Sequence, residues 1–197
     1  FKNAGLLDLI HENGIDWLNV FAVDNVLQRI ADPCFIGATI TENRSVGAKV
    51  VCKNHPDEKV GVMCLKDNHP SIVEYYELTP ELRDAVDEDG EPAYNFGVIL
   101  NYLFKESELE DICENTLPLH IVEKKIPYID DAGTLIKPEE PNGYKFETLI
   151  LDMIQMMDTC LPFEVERDKE FAPIKNKTGI DSVESARALL AKNGVTL

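Results

Sequence analysis

A chain of 197 residues can enclose one sizeable core, and its 44% hydrophobic and 28% charged residues are ordinary for a globular protein. With 19 basic against 36 acidic residues the formal net charge is −17, which sets the surface against nucleic acid phosphates and anionic lipid. No run of about 18 apolar residues exists to span a membrane, and 5 scattered cysteines with no C-x-x-C pair read as free thiols of a reducing, cytoplasmic compartment.

Residues 3–12 read as helix through Leu6, Leu7, Leu9 and Ile10, with no cap ahead of them and no signal-peptide pattern. From Phe1 the chain is therefore expected to begin inside a structure, as a piece of a longer protein. A turn at Asn13-Gly14 leads to an apolar strand over 17–23, whose lack of alternation suits a buried strand of a mixed sheet. Helical periodicity over 26–31 is expected to end at Asp32-Pro33, and 49–52 is a short strand. Strands at 59–65 and 71–78 flank a turn at 66–70, and 79–92 is a solvated connection with one helical turn. A strand over 94–100 and a helix over 101–113 follow, then strands at 120–128 and 134–136 about Asp131-Ala132-Gly133. Residues 146–159 have the apolar spacing of an amphipathic helix, and 163–165 is the last strand. Asp181-Ser182-Val183-Glu184 reads as a capping box before a helix over 186–191, closed by Gly194. The sum is α/β with a mixed sheet, divided into 1–176 and a linker with terminal helix at 177–197.

The chemistry available is limited. The 11 glycines are scattered too widely for a G-x-G or P-loop cradle, and no G-x-S-x-G elbow is present. The 4 histidines show no metal-ligand spacing, so no zinc site is expected. Asp24-Asn25 closes an apolar strand, where ligands of open α/β sheets bind. Asp24 there is either a metal carboxylate or the N-cap of the helix after it. Glu74 and Glu77, three apart on a strand, should face opposite sides, either towards a ligand or as charges guarding an edge. Lys124, Lys125, Lys145 and Lys175 are the cations suited to phosphate in this acidic chain.

Short segments in order carry more than any of these alone. They include Val23-Asp24-Asn25-Val26-Leu27, Ala31-Asp32-Pro33-Cys34-Phe35-Ile36-Gly37, Pro56-Asp57-Glu58-Lys59-Val60-Gly61 and Val73-Glu74-Tyr75-Tyr76-Glu77. Further on come Leu117-Pro118-Leu119-His120, Lys124-Lys125-Ile126-Pro127-Tyr128, Pro141-Asn142-Gly143-Tyr144-Lys145-Phe146-Glu147 and Ala172-Pro173-Ile174-Lys175-Asn176. Over about 3–190 the chain resembles the eukaryotic-type UDP-N-acetylhexosamine pyrophosphorylases, specifically the carboxyl-side part of their catalytic domain.

The resemblance implies a Rossmann-like mixed sheet of the nucleotide-diphospho-sugar transferase type, incomplete in this chain. It implies uridylyl transfer from UTP to N-acetylglucosamine 1-phosphate with Mg²⁺, giving UDP-N-acetylglucosamine and pyrophosphate by direct attack on the α-phosphorus. It assigns Asp24 to the metal, Asn25, Gly61, Glu74 and Lys145 to the substrate, and Lys175 to the phosphates as the catalytic cation. The family's glycine-rich UTP loop has no counterpart here, so the amino-terminal remainder of the same protein is an expected partner and the 197 residues alone are expected not to turn over UTP.

This chain departs from the family pattern in places. Val98 stands where the family has an asparagine that hydrogen-bonds the sugar, Tyr76 replaces a small hydroxyl, and Leu149 and Leu151 stand where phenylalanines are common. These changes bear on sugar identity and on activity, and leave open a uridylyltransferase for another sugar 1-phosphate or a non-catalytic sugar-nucleotide-binding protein.

Overall fold

A computed structural model describes residues 2–196; Phe1, from which the chain was expected to start inside a helix, lies outside them. In chain order the helices are α1 (Leu6–Glu12), α2 (Pro33–Thr41), α3 (Pro80–Arg83), α4 (Glu106–Ile112), α5 (Arg167–Glu170) and α6 (Val183–Lys192). The strands are β1 (Trp17–Phe21), β2 (Val46–Cys52), β3 (Val62–Lys66), β4 (His69–Val73), β5 (Phe96–Lys105), β6 (His120–Lys124), β7 (Tyr128–Ile129), β8 (Leu135–Ile136), β9 (Gly143–Glu147) and β10 (Cys160–Glu164).

A six-stranded sheet runs β10-β2-β5-β3-β4, with β1 also on β5. Only β10 and β2 are parallel; β2, β1 and β3 each meet β5 antiparallel. The mixed α/β sheet expected from the sequence is present. Separate two-stranded ribbons pair β6 with β9 and β7 with β8. The β3–β4 hairpin turns through Asp67 and Asn68, both at positive φ (50° and 69°), as a two-residue primed turn requires.

Several boundaries differ from expectation for identifiable reasons. Asp32-Pro33 starts a helix instead of ending one. The Asp32 carboxylate accepts from Cys34 N at 3.1 Å, and Pro33 sits in the first turn, where its missing N–H costs nothing. Residues 26–31 form turns, with Ala31 at φ 50°; six residues are too few to nucleate a helix when only Leu27 is buried. Residues 101–104, expected as helix, extend β5. Tyr102, Leu103 and Phe104 are all buried there, and a strand covered on both faces loses the alternation that would identify it. Phe146 lies in β9, exposed, and only Ile150–Met156 is helical, as a 3-10 helix whose Leu151 and Ile154 enter the core. At the last helix, Asp181 takes φ 55° and Ser182 is the N-cap, exchanging bonds with Ser185 at 3.3 and 2.9 Å.

The main core lies between the sheet and the 3-10 helix, built from Val46, Val50, Ile72, Tyr102, Ile154 and Met157. On the other face α2 crosses β2 at Gly47, where a Cβ would meet Phe35 and Thr39 at 2.6 Å. The terminal helix is docked, with Ala186 buried against Leu27 and Ala172.

Lys49 in β2 is completely buried. Its ammonium meets Asp32 Oδ2 at 2.8 Å and Glu170 Oε2 at 2.5 Å, with Arg29 at 3.5 Å from Glu170 Oε1. Burial disfavours the Asp32 carboxylate, but the hydrogen bond and charge of Lys49, the Cys34 N–H and Arg29 together pull its pKa below the usual range. A Lys49→Met variant leaves both carboxylates without their buried cation. Urea unfolding should show a loss of about 3–5 kcal/mol, most of it recovered when Asp32→Asn and Glu170→Gln are added. A loss below about 1 kcal/mol would remove this ion cluster from any structural role.

Candidate functional site

The site arises where β5 changes partners. On one edge β1 pairs with Asn101–Lys105 positions and β3 reaches only Gly97, so Val98, Ile99 and Leu100 face a gap between two strand ends. Ala22 N donates to Leu100 O at 2.9 Å and Val98 N to Gly61 O at 2.9 Å, fixing the two lips. The cleft has a volume of about 240 Å³. That is below the roughly 300–1,000 Å³ of typical small-molecule sites, room for part of a larger ligand.

Asp24, Asn25, Gly61, Glu74 and Lys175 all line this cleft. Asp24 follows β1, half-buried, and among the described residues its carboxylate has no hydrogen-bond or ion partner. No helix follows it, so its N-cap reading lapses. Asn25 is buried and occupied: Nδ2 donates to Glu170 O at 2.7 Å, while Oδ1 accepts from Ala172 N at 2.8 Å and Leu27 N at 3.3 Å. It ties the segment bearing Lys175 to the end of β1, leaving one amide proton for any ligand. Gly61 sits close to its neighbours: a Cβ would stand 3.1 Å from Ile72, 3.3 Å from Val98 and 3.6 Å from Glu74 Oε1, so the Ile72 and Val98 side chains would have to give by a few tenths of an ångström. Lys145 does not line the cleft; its side chain pairs with Glu147 on the β6–β9 ribbon.

The expectation that Glu74 and Glu77 face opposite sides fails because β4 ends at Val73. Residues 74–77 turn, with Glu77 N donating to Glu74 O at 2.9 Å; the Glu77 carboxylate reaches His120, which Glu74 influences through charge alone. His120 Nδ1 lies 3.6 Å from Glu77 and Nε2 2.9 Å from the buried Asp152. Burial alone would lower the His120 pKa, but the hydrogen bond and charge of Asp152, with Glu77 and Glu74 behind them, raise it above the ordinary imidazole value. Burial and the Glu77 charge raise the Glu74 pKa, against the opposing pull of His120 and Lys175. Tyr76, desolvated beside Glu74, Glu77 and Glu147, is pushed up to about 12.

Sequence reasoning missed Lys59, Tyr75, Leu100 and Phe171, which also line the cleft. Lys59 lies two residues before Gly61 and is the cation that segment offered. Leu100 gave no signal, because its place depends on a bulge in β5: the register against β2 shifts between Ala48 and Val50 while Leu100 takes φ 50°. Val98 and Leu151, two of the positions that depart from the family pattern, are on the cleft wall.

The family model described as UTP–glucose-1-phosphate uridylyltransferase matches residues 1–196. The mouse UDP-N-acetylhexosamine pyrophosphorylase-like protein 1 is 40% identical over 194 residues, covering 95% of this chain and 38% of that protein. The Saccharomyces cerevisiae UDP-N-acetylglucosamine pyrophosphorylase is 38% identical over 214 residues, covering 98% of this chain and 44% of its own length. A crystal structure from Entamoeba histolytica, assigned as a UDP-N-acetylglucosamine pyrophosphorylase, superposes with a TM-score of 0.87 at 34% identity, covering 97% of this chain and 48% of that one. The chain thus spans about two fifths of the length of the curated relatives it matches.

The His120 environment sets a pH dependence. Its folded-state pKa is raised, so its contribution to stability is complete below the unfolded value of about 6.5 and is lost as pH rises through the folded value. Urea midpoints taken from pH 5.5 to 8.5 should therefore fall with rising pH for the wild type and fall less for His120→Gln. Equal slopes would remove His120 from this role.

Proposed function

The chain belongs to the UTP–glucose-1-phosphate uridylyltransferase family, and on that premise we propose that it is the sugar-binding part of an enzyme joining UTP and N-acetylglucosamine 1-phosphate. The observation that carries the proposal is the convergence of Asp24, Gly61, Glu74 and Lys175 on one cleft at the end of β1. Each comes from a different stretch of chain, and together they offer what uridylyl transfer needs: a free carboxylate for a cation, close backbone approach, a hydroxyl acceptor and a phosphate-matched ammonium.

In this reading a phosphate oxygen of the sugar phosphate forms a bond to the α-phosphorus while the bond to pyrophosphate breaks. No protein nucleophile takes part. The half-buried Glu74 accepts sugar hydroxyls, and Gly61 admits the sugar to the backbone. Lys175 and Lys59 neutralise charge on the transferring phosphoryl group. Asn25 acts by positioning, since its amide already holds the main chain at Glu170 and Ala172. Asp24 suits Mg²⁺, a hard cation commonly held by one or two carboxylates together with substrate phosphates. When bound, that ion would supply charge neutralisation and alignment of the phosphates. The glycine-rich UTP loop would come from polypeptide outside these 197 residues.

The setting fits a reducing cytosol, because all five cysteines are free. No helix among the described residues is long and apolar enough to cross a membrane.

Val98 favours a second reading, a different sugar 1-phosphate. Its side chain stands against Gly61 and can accept or donate nothing, whereas an asparagine there could pair with an acetamido or hydroxyl group.

Calorimetric titration with UDP-N-acetylglucosamine and Mg²⁺ tests the site directly. Binding should be detectable and should weaken in Glu74→Gln; silence towards every UDP-sugar would end the proposal. In the full-length protein, Lys175→Met should lower kcat for pyrophosphate release by about 10²–10³-fold. The Val98→Asn variant should improve binding of the N-acetylated sugar over UDP-glucose by about 1–3 kcal/mol, and no change would acquit Val98 of setting sugar choice.

A further inference from the structure

At the end of β5 away from the cleft, three metal-ligating side chains meet from distant parts of the chain. Glu106 and Glu110 stand one turn apart on α4, so their carboxylates leave the same face. His11 arrives from α1, 95 residues earlier than Glu106, which is why no sequence spacing announces the group. Its Nε2 lies 2.8 Å from Glu106 Oε1 and 3.7 Å from Glu110 Oε2, and one ligand atom of each residue falls within 4.8 Å of the others. Along the chain Glu106 is four residues beyond Tyr102, the last β5 residue lining the cleft, or about 13 Å away.

We propose that His11, Glu106 and Glu110 bind a divalent transition cation of the zinc class, clipping α1 to α4. The spacing is that of a ligand set: atoms each about 2.1 Å from a tetrahedral ion stand about 3.4 Å apart, between the two distances observed. Burial points the same way. Glu106 is only 9% exposed, and among the described residues its carboxylate has no hydrogen-bond or ion partner outside the cluster. Its main-chain N–H donates to Asp16 O at 2.8 Å, which fixes the first turn of α4 and so the direction of the side chain. A buried carboxylate in so acidic a chain calls for a positive partner. A protonated His11 supplies one charge against two carboxylates, whereas a divalent ion matches both. One imidazole with two carboxylates selects zinc, nickel or cobalt over magnesium. The partly exposed His11 and Glu110 leave solvent to complete the coordination.

The test is titration of the chain with Zn²⁺ by calorimetry and with Co²⁺ by visible absorption. One Zn²⁺ should bind, with cobalt d–d bands from the same site and no displacement by equimolar Mg²⁺. His11→Gln and Glu110→Gln should each weaken binding roughly tenfold or more, while Asp24→Asn combined with Glu74→Gln leaves this site unchanged. Circular dichroism verifies folding, and the exposed Glu110 keeps the test decisive should His11→Gln unfold. Unchanged zinc affinity in Glu110→Gln, absence of cobalt bands, or loss confined to the Asp24 and Glu74 double variant would overturn the assignment.

Discussion

The ammonium of Lys49, shut away from solvent between Asp32 and Glu170, is the constraint on which the cleft depends. Two carboxylates from segments far apart in sequence must reach one strand residue before any of the three charges can be buried. Asp32 simultaneously caps α2, so the start of that helix is fixed against β2. Glu170 ends α5, so the segment after it leaves in a set direction. Buried ion pairs are weak sources of net stability, and their best-attested use is to specify one arrangement among several. Here the arrangement specified is the placement of 171–175. Asn25 completes it from the other side by holding Glu170 and Ala172 to the end of β1. Lys175 reaches the cleft because two buried polar groups leave its backbone no other course.

This dependence explains what was legible in the sequence. Several strand cores announced themselves through unbroken apolar runs, and the hairpin through turn residues, because those signals are local; the buried stretch 101–104 of β5 did not, since such a run also suits a helix. The strand-end position of Asp24 was legible in the apolar run that it closes, whereas its grouping with Glu74, Gly61 and Lys175 came from short segments in order, not from periodicity. Lys49 was invisible as a core residue, since a lysine in a strand reads as solvent-facing and nothing local names Asp32 and Glu170 as its partners. Asp32-Pro33 misled for a related reason: the same pair ends one helix or begins another, and only the fate of the capping carboxylate decides. Lys145, placed with the substrate on resemblance, lies instead on a ribbon paired with Glu147.

The electrostatics of the cleft are local. A net charge of −17 describes solubility and long-range repulsion, yet Lys59 and Lys175 line the same cleft as Asp24 and Glu74. His120 mediates between Glu77, Glu74 and Asp152, and so connects the cleft to the 3-10 helix beneath it. Change at Asp152 or His120 therefore reaches Glu74 through charge, with no direct contact to a ligand.

The cleft opens where it does because β5 is bent at Leu100. A leucine at φ 50° costs about 1–3 kcal/mol, and such strain persists only when its surroundings hold it. They do so through side-chain amides. Gln28 Nε2 donates to Ile99 O and Leu100 O at 3.4 and 3.3 Å, Asn101 Nδ2 donates to Gln28 Oε1 at 2.7 Å, and Asn19 Nδ2 donates to Asn101 Oδ1 at 2.8 Å. Asn19 also accepts from Ala31 N at 2.9 Å, so the network spans β1, the turns after it and the bulge. Relaxing Leu100 into ordinary extended backbone would carry β5 straight past the strand ends and close the gap that Val98 and Ile99 line. The positive φ, the amide chain and the open cleft are thus one feature, in which backbone strain in β5 is held by hydrogen bonds made several residues away.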